Sequence, residues 1–257
     1  MWAVKAIELR RAMPEAEQLA AGVVLSELRM RKSEAEVSAL IYAGEAIDRV
    51  HAEVPQWLRV GRTENEVARD IADAISQEHE TVDFVIVASG PNGSSPHHMA
   101  SDRVLAQGDV VVVDIGGTTS VGYCSDSTRT YALGEPDPSF LADYAVLVEA
   151  QAKACESVAP GMTCEEIDAA ARNILADAQL DEFFIHRTGH GIGLETHEEP
   201  YIVSGNQRRL EPGMAFSVEP GFYRAGEVGS RIEDIVVCGV DGPIMCNKRP
   251  HELIVVE

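Results

Sequence analysis

The chain has 257 residues, 45% of them hydrophobic and 25% charged, which is an ordinary composition for a globular protein of one or two domains. Its formal net charge of −21 argues against nucleic acid or an anionic membrane surface as a partner, because both require a basic face. The five cysteines form no C-x-x-C pair, the N-terminus lacks the form of a signal peptide, and no apolar run reaches the roughly 18 residues of a membrane-spanning helix. We therefore expect a cytoplasmic protein with reduced thiols.

The chain begins with MWAVKAIELRRAMPEAEQ, which predicts a helix and a connector left over from something that precedes it. Ser33 and Glu36 form a capping box, the paired hydrogen bonds that open a helix, so a helix is expected to start there. A second plain helix is predicted over residues 140–158.

Two segments one hundred residues apart repeat the same pattern. GRTENEVARDIADAI begins at Gly61 and GMTCEEIDAAARNIL begins at Gly161, and both carry G-x-T-x-x-E before an amphipathic run. In each segment the Thr and the Glu predict another capping box at the start of a helix. The repeat indicates an internal duplication.

The duplication continues beyond these helices. The apolar strands predicted at DFVIVAS and EFFI each run into a Gly-rich loop, and the loops place His97 and His197 one hundred residues apart. GDVVVVD and GMAFSVE then each place an acid six residues after a glycine, and a second acid follows on the next strand. The four acids are Asp114, Asp126, Glu219 and Glu233. This order predicts one α+β domain of two similar halves, related by pseudo-twofold symmetry, whose hairpins face a shared centre.

Four carboxylates and one imidazole would suit a pair of divalent metal ions. His190 lies between two glycines that let the backbone approach an ion or a substrate closely. Four negative charges balance two divalent ions, and hard oxygen donors with one histidine favour manganese or a similar first-row metal over a soft thiolate site. Each acid alone is as well explained by a turn or a solvated strand, but their matching places in two halves favour the metal site. His186 has no counterpart in the first half and is interpreted as structural.

Five motifs resemble, in order, the metal-site motifs of the pita-bread metallopeptidases, which include Xaa-Pro dipeptidase (prolidase), Xaa-Pro aminopeptidase, methionine aminopeptidase and creatinase. The motifs are VVVDIGG, SDSTRT, TGHGIGLETHEEP, FSVEPGFY and SRIEDIVV. The resemblance implies the pita-bread fold, two pseudo-twofold-related halves around a central curved antiparallel sheet. It also implies that residues 33–257 form the catalytic domain and that residues 1–32 are the remnant, the final helix and connector, of an N-terminal domain.

The same resemblance implies a role for each residue of the site. The metal ligands would be Asp114, Asp126, His190, Glu219 and Glu233, with Asp126 and Glu233 bridging two ions. Mn²⁺ is the expected metal, with Co²⁺, Zn²⁺ or Fe²⁺ as alternatives. Glu219 would also shuttle protons, His97 and His197 would face the substrate, and Arg231 would support the site beside the bridging acid.

The contexts SRIEDIV, SDSTRT and SSPHH resemble the Xaa-Pro branch of the family. They imply hydrolysis of the bond between an N-terminal residue and proline, in an X-Pro dipeptide or a longer peptide, and a homodimer is compatible with the family. Two alternatives stay open. Methionine aminopeptidase is favoured by the short chain and opposed by SRIEDIV, whereas a non-catalytic pita-bread module that binds peptides or proteins is opposed by the intact ligand set.

Overall fold

The computed structural model of the protein describes residues 3–257, and the side chain of residue 23 lies outside that description. Its helices are α1 (Ala3–Ala12), α2 (Gly22–Met30), α3 (Glu34–Trp57), α4 (Glu64–Glu78), α5 (Pro138–Glu156) and α6 (Cys164–Asp177), with short 3₁₀ helices at Gly90–Ser94 and Asp181–Phe183. Its strands are β1 (Thr81–Ser89), β2 (Val110–Thr118), β3 (Ser127–Leu133), β4 (Gly189–Gly191), β5 (Glu198–Ile202), β6 (Ala215–Val218), β7 (Gly221–Arg224), β8 (Val228–Arg231), β9 (Asp234–Cys238), β10 (Pro243–Met245) and β11 (Ile254–Val256). Within these residues, none of the helices combines the length and the apolar character needed to span a bilayer.

The predicted capping boxes open three of the helices. At α4, the Thr63 side chain accepts from the Glu66 N–H at 3.2 Å, and the Glu66 carboxylate accepts from the Thr63 N–H at 2.8 Å. Thr163 and Glu166 repeat these bonds at α6, with distances of 3.2 Å and 2.7 Å. Ser33 caps α3 in the same way. Each box satisfies backbone N–H groups that the first turn of a helix leaves free.

The backbone around these caps repeats almost bond for bond. The Gly61 N–H donates to the Leu105 carbonyl at 2.9 Å, and the Gly161 N–H donates to the Leu210 carbonyl at 2.8 Å. The two glycines share the left-handed region, with φ of 94° and 92°, where a side chain is disfavoured. The internal duplication indicated by the sequence is therefore confirmed in the backbone.

Two main sheets form the centre of the molecule. One has the order β1-β2-β3-β11, the other has the order β10-β9-β6-β4-β5, and β7 and β8 form a separate hairpin. The two sheets meet where the Glu233 N–H donates to the Thr128 carbonyl at 3.1 Å. All the strand pairs are antiparallel except β11, which runs parallel to β3. The α+β architecture of two related halves is confirmed, with this one parallel pair as a departure from the expected antiparallel sheet.

Strand alternation separates the apolar core from the face that carries the acids. Val113 packs in a core with residues of α3 and α4, and Asp114 next to it points to the opposite face and lines a cavity. In the second half, Val218 packs against α5 and α6, and Glu219 next to it lines the same cavity. The helices thus cover one face of the sheets and leave the acids on the other.

The strand predicted at EFFI is wrong, because these residues form the 3₁₀ helix Asp181–Phe183 and the irregular segment after it. Arg172, on α6, donates to the carbonyls of Phe184 and His186 at 3.1 Å each. Its guanidinium also stacks over the Phe184 ring at 4.2 Å. A side chain from a distant helix satisfies the carbonyls that a strand partner would otherwise take.

The connector predicted before residue 33 contains a second helix, α2. The connector is attached to the rest of the fold through Arg29 on α2 and Lys32 just after it. Arg29 Nη2 and Lys32 Nζ each lie 2.6 Å from the Glu198 carboxylate. The domain boundary at residue 32 stays a prediction, and residues 1 and 2 of the proposed remnant lie outside the described residues.

Removal of the matched caps tests how far the two halves are energetically alike. We expect Thr63→Ala and Thr163→Ala each to lower the free energy of unfolding by about 1 kcal/mol, because each leaves a first-turn N–H without its acceptor. Urea unfolding followed by circular dichroism measures the change, and Thr→Ser at either position keeps the hydroxyl as a control. Unchanged midpoints in both alanine variants would contradict the prediction.

Candidate metal centre

The five side chains expected to bind metal converge on one cavity of about 810 Å³. Two of them lie on strands and three lie directly next to a strand, and both halves of the fold contribute. Their positions are Asp114 on β2, Asp126 before β3, His190 on β4, Glu219 after β6 and Glu233 before β9.

The donor atoms lie close enough to share a cation. One donor atom from each of Asp126, His190 and Glu233 lies within 4.8 Å of the other two, and all three residues are buried. Glu219 Oε1 lies 3.3 Å from His190 Nε2, and Asp126 Oδ2 lies 3.6 Å from the same nitrogen. These separations suit donor atoms arranged around ions at about 2 Å from each ligand.

The imidazole of His190 presents a free electron pair to these acids. Its Nδ1 lies 3.1 Å from the Gly191 carbonyl, which can only accept, so Nδ1 carries the hydrogen and Nε2 does not. Burial, and then the neighbouring His197, lower the pKa of His190 to about 3. A lone pair that faces two carboxylate oxygens is repelled unless a proton or a cation lies between them, so the arrangement can accept a metal ion.

Asp114 supplies a second observation that fits a cation. Its Oδ2 is held by Arg231 Nη2 at 2.6 Å, but its Oδ1 is buried with no hydrogen-bond partner among the described residues. Leaving a buried polar atom unsatisfied costs about 1–3 kcal/mol, and more for a charged group. A metal ion bound by Oδ1 would remove this penalty.

The acids repel one another in this buried centre. Burial, followed by the charges of Glu233, Asp114 and Glu219, raises the pKa of Asp126 well above its usual value. Burial, with Glu219 and Asp114, does the same to the pKa of Glu233. Burial also raises the pKa of Glu219 to about 7, although Arg231 opposes the shift. Protons therefore compensate the acids when no metal does, and divalent ions would displace them.

Arg231 orients acids from both halves. Besides Asp114, its Nε donates to Thr128 Oγ1 at 3.1 Å, and that hydroxyl donates to Glu233 Oε2 at 2.8 Å. Its Nη1 donates to the Tyr223 hydroxyl oxygen at 2.7 Å. Such partners fix the direction of the oxygens that would bind metal.

His186 is linked to this network through Tyr223. Its Nδ1 lies 2.7 Å from the Arg187 carbonyl and therefore donates, so its Nε2 accepts from the Tyr223 hydroxyl at 2.9 Å. Both ring nitrogens are occupied, which agrees with the expected structural role. Tyr223 and Thr128 were absent from the sequence prediction. Thr128 could have been found, because it lies two residues after Asp126 and so shares its face of the strand.

His97 and His197 line the same cavity, as their matching positions in the two halves predict. The centroid of the His197 ring lies 4.0 Å from that of the His190 ring. Burial, together with the nearby charge of Arg187, lowers the pKa of His197, so this imidazole is neutral. The structure brings all the predicted site residues together, while their roles stay predictions.

The raised pKa values make the stability of the metal-free protein fall as pH rises. The pKa of Glu219 goes from the usual glutamate value of about 4 to about 7 in the fold, so the folded state binds more protons in this window. We expect the free energy of unfolding to decrease between about pH 5 and pH 8 without metal, and Mn²⁺ to restore it at pH 8. Thermal unfolding of chelator-treated protein measures this, with Glu219→Gln as the variant that shows a smaller slope. Metal-free stability that rises over this range would contradict it.

Three comparisons identify relatives. The family model described as Metallopeptidase family M24 matches residues 38–239. The probable dipeptidase PepE of Mycobacterium tuberculosis (strain ATCC 25618 / H37Rv) is 61% identical over 234 residues, covering 91% of this chain and 62% of that protein. The Xaa-Pro dipeptidase of Lactobacillus delbrueckii subsp. lactis is 41% identical over 221 residues, covering 85% of this chain and 60% of that protein.

Among solved structures, the recombinant prolidase from Thermococcus sibiricus superposes with a TM-score of 0.95 at 40% identity, covering 99% of this chain and 70% of that one. The chain spans 62% and 60% of the lengths of the two curated dipeptidases, so it matches only part of each. The likeness nevertheless extends over nearly all of this chain, and it confirms the pita-bread fold. The chain belongs to metallopeptidase family M24.

Proposed function

We propose that the chain carries the catalytic centre of a dinuclear metallopeptidase that cleaves X-Pro dipeptides between the N-terminal residue and proline. The observation that carries the proposal is the convergence of four carboxylates and one imidazole beside a cavity that His97 and His197 also line. The names of the relatives, a probable dipeptidase, an Xaa-Pro dipeptidase and a prolidase, support the same reaction.

The two metal ions would be held by Asp114, Asp126, His190, Glu219 and Glu233. When bound, they supply positive charge that polarises the scissile carbonyl and lowers the pKa of water. Mn²⁺ is our first choice, with Co²⁺, Zn²⁺ or Fe²⁺ as alternatives, because the donors are oxygens and one nitrogen. No cysteine is found among the described residues that line the cavity.

Glu219 is placed to move the proton that the reaction requires. Its carboxylate lines the cavity, and Ser217 Oγ donates to its Oε1 at 3.1 Å, which fixes its orientation. A carboxylate at this position can accept a proton from the attacking water and give it to the departing proline nitrogen. The nitrogen then leaves as a neutral amine and the bond breaks.

The two cavity histidines act on the carbonyl. A neutral imidazole keeps one N–H, so His197 can donate to the carbonyl oxygen and to the negative charge that develops there. His97, from the other half, lines the same cavity and is assigned the same function. Arg231 keeps Asp114 in place through the 2.6 Å ion pair and does not need to touch the substrate.

Arg187 favours dipeptides over longer peptides. Its guanidinium lines the cavity and stacks on the Tyr201 ring at 4.9 Å, and its buried Nε has no hydrogen-bond partner within residues 3–257. No described carboxylate lies within salt-bridge distance of it. A dipeptide brings its own carboxylate next to the proline ring, and Phe84, Ile86 and Val203 offer that ring apolar surface.

Proline release tests the reaction directly. With Mn²⁺ added and metal content measured on the same sample, we expect Gly-Pro to be cleaved faster than Gly-Pro-Pro and Met-Ala-Ser to be left intact. Asp126→Asn should abolish turnover, and His97→Ala or His197→Ala should each lower kcat about 100-fold, as loss of an oxyanion donor does elsewhere. A metal-loaded protein that cleaves only Met-Ala-Ser would establish the methionine aminopeptidase alternative. One that binds peptides and cleaves none would establish the binding module.

Arg187→Met tests the preference for a free carboxylate. We expect KM for Gly-Pro to rise about tenfold or more, because a hydrogen bond to a charged group contributes about 1.5–3 kcal/mol. Gly-Pro amide lacks the carboxylate, so its KM should change little and serves as the matched control. Equal changes for the two substrates would mean that Arg187 does not recognise the carboxylate.

A further inference from the structure

We propose that Glu64 and the pair Arg29 and Lys32 are positioning residues, each set anchoring the loop that carries one of the two cavity histidines. The inference rests on the proposed function, in which His97 and His197 contact the substrate. It assigns to three charged side chains outside the cavity the task of keeping those imidazoles in place.

Glu64 is the first residue of α4 and its side chain is fully buried. It accepts from the Ser89 N–H at 2.8 Å and from the Ser89 hydroxyl at 2.6 Å. It also accepts from the Ser101 N–H at 3.1 Å and the Ser101 hydroxyl at 2.7 Å. One carboxylate thus holds both ends of the segment 89–101, which contains His97.

Two further bonds reach the middle of this segment. Asn92 Nδ2 donates to Glu64 at 3.0 Å, and His98 Nε2 lies 3.1 Å from Glu64 Oε2. His98 directly follows His97, so the anchor lies one residue from the imidazole that lines the cavity. Burying a carboxylate costs free energy unless it is hydrogen-bonded. A shift of the segment would break these hydrogen bonds, so the carboxylate opposes it.

The second half has an anchor at the matching place. Glu198 directly follows His197, and its two oxygens lie 2.6 Å from Lys32 Nζ and 2.6 Å from Arg29 Nη2. The Lys32 side chain is 1% exposed and that of Glu198 is 8% exposed. Removing one partner of such a pair leaves an uncompensated buried charge, which strongly destabilises the folded protein. The pair therefore holds the loop of His197 in one position.

The duplication does not repeat the residues of the two anchors. His98 and Glu198 are one hundred residues apart, as the two cavity histidines are, but they have opposite chemistry. The residue one hundred positions after Glu64 is Cys164, a fully buried thiol. Each half therefore restrains the residue after its cavity histidine with different partners, which points to a requirement of the site and not to a relic of the repeat.

A double-mutant cycle tests whether Glu64 acts through His97. Glu64→Gln keeps the shape of the side chain but replaces one acceptor oxygen by an NH₂ group. That group would face the N–H and O–H donors of Ser89 or Ser101, so these hydrogen bonds would be lost. We expect kcat for Gly-Pro to fall about 10- to 100-fold, the usual effect of losing such a partner, with metal content unchanged. In the His97→Ala background Glu64→Gln should cause no further loss, whereas in the His197→Ala background the two losses should multiply. Glu198→Gln should show the reverse pattern.

Hydrogen exchange gives a readout that needs no turnover. Glu64→Gln should speed exchange of the amides in segment 89–101 and leave residues 189–202 unchanged, and Glu198→Gln should do the opposite. Glu78→Gln, at the other end of α4 and paired on the surface with Arg49, is the matched control and should change neither segment nor kcat.

Three results would overturn the proposal: losses that multiply in the His97→Ala background, faster exchange in both segments at once, or loss of bound metal from Glu64→Gln. If the unsubstituted protein cleaves no X-Pro peptide, the proposed function fails. The exchange experiment still decides whether the two anchors hold their loops.

Discussion

Four buried or largely buried carboxylates meet beside one cavity, and their mutual repulsion is the constraint on which the rest of the site depends. Burial and the neighbouring acids raise the pKa values of Asp126 and Glu233, and burial does the same to Glu219. Such a cluster is stable only with compensating positive charge, supplied by protons, by metal ions or by Arg231. The guanidinium alone cannot compensate four acids, and Asp114 still keeps one oxygen without a partner. The fold is therefore built to receive cations.

A buried ion pair lies next to Glu233, one of the proposed metal ligands. Arg129 Nη2 contacts Asp234 Oδ1 at 2.7 Å, and Arg129 Nη1 donates to the carbonyl of Glu233 at 2.7 Å. Burial alone would raise the pKa of Asp234, but Arg129 keeps it below the usual value. Because Arg129 belongs to β3 and Asp234 to β9, the pair joins the two sheets next to Glu233, one of the proposed ligands. Ligand placement and the joining of the halves thus depend on the same contacts.

Local signals account for what the sequence predicted correctly. The capping boxes at Thr63 and Thr163, and the acids that follow each hairpin glycine, depend on spacing within a few residues, so they are visible without a structure. The strand at EFFI was mispredicted because the deciding group is Arg172, on another helix. Tyr223, Arg129 and Glu64 escaped notice for the same reason, since their partners lie far away in the chain. Sequence patterns therefore reveal the candidate site residues themselves. They do not reveal as readily the distant residues that keep those side chains in place.

The two halves differ in one feature of the centre, the imidazole among its four acids. Both halves contribute a pair of carboxylates from equivalent hairpins, yet only the second half contributes His190. The residue one hundred positions earlier is Gly90, where φ is 50° and an added Cβ would lie 2.6 Å from Arg103 Nη2. A side chain there would require a shift in the ion pair between Arg103 and Asp109, in which Arg103 Nη1 lies 2.6 Å from Asp109 Oδ2. Position 90 thus lacks a counterpart of the His190 imidazole, and the two halves contribute unequally to the proposed metal centre.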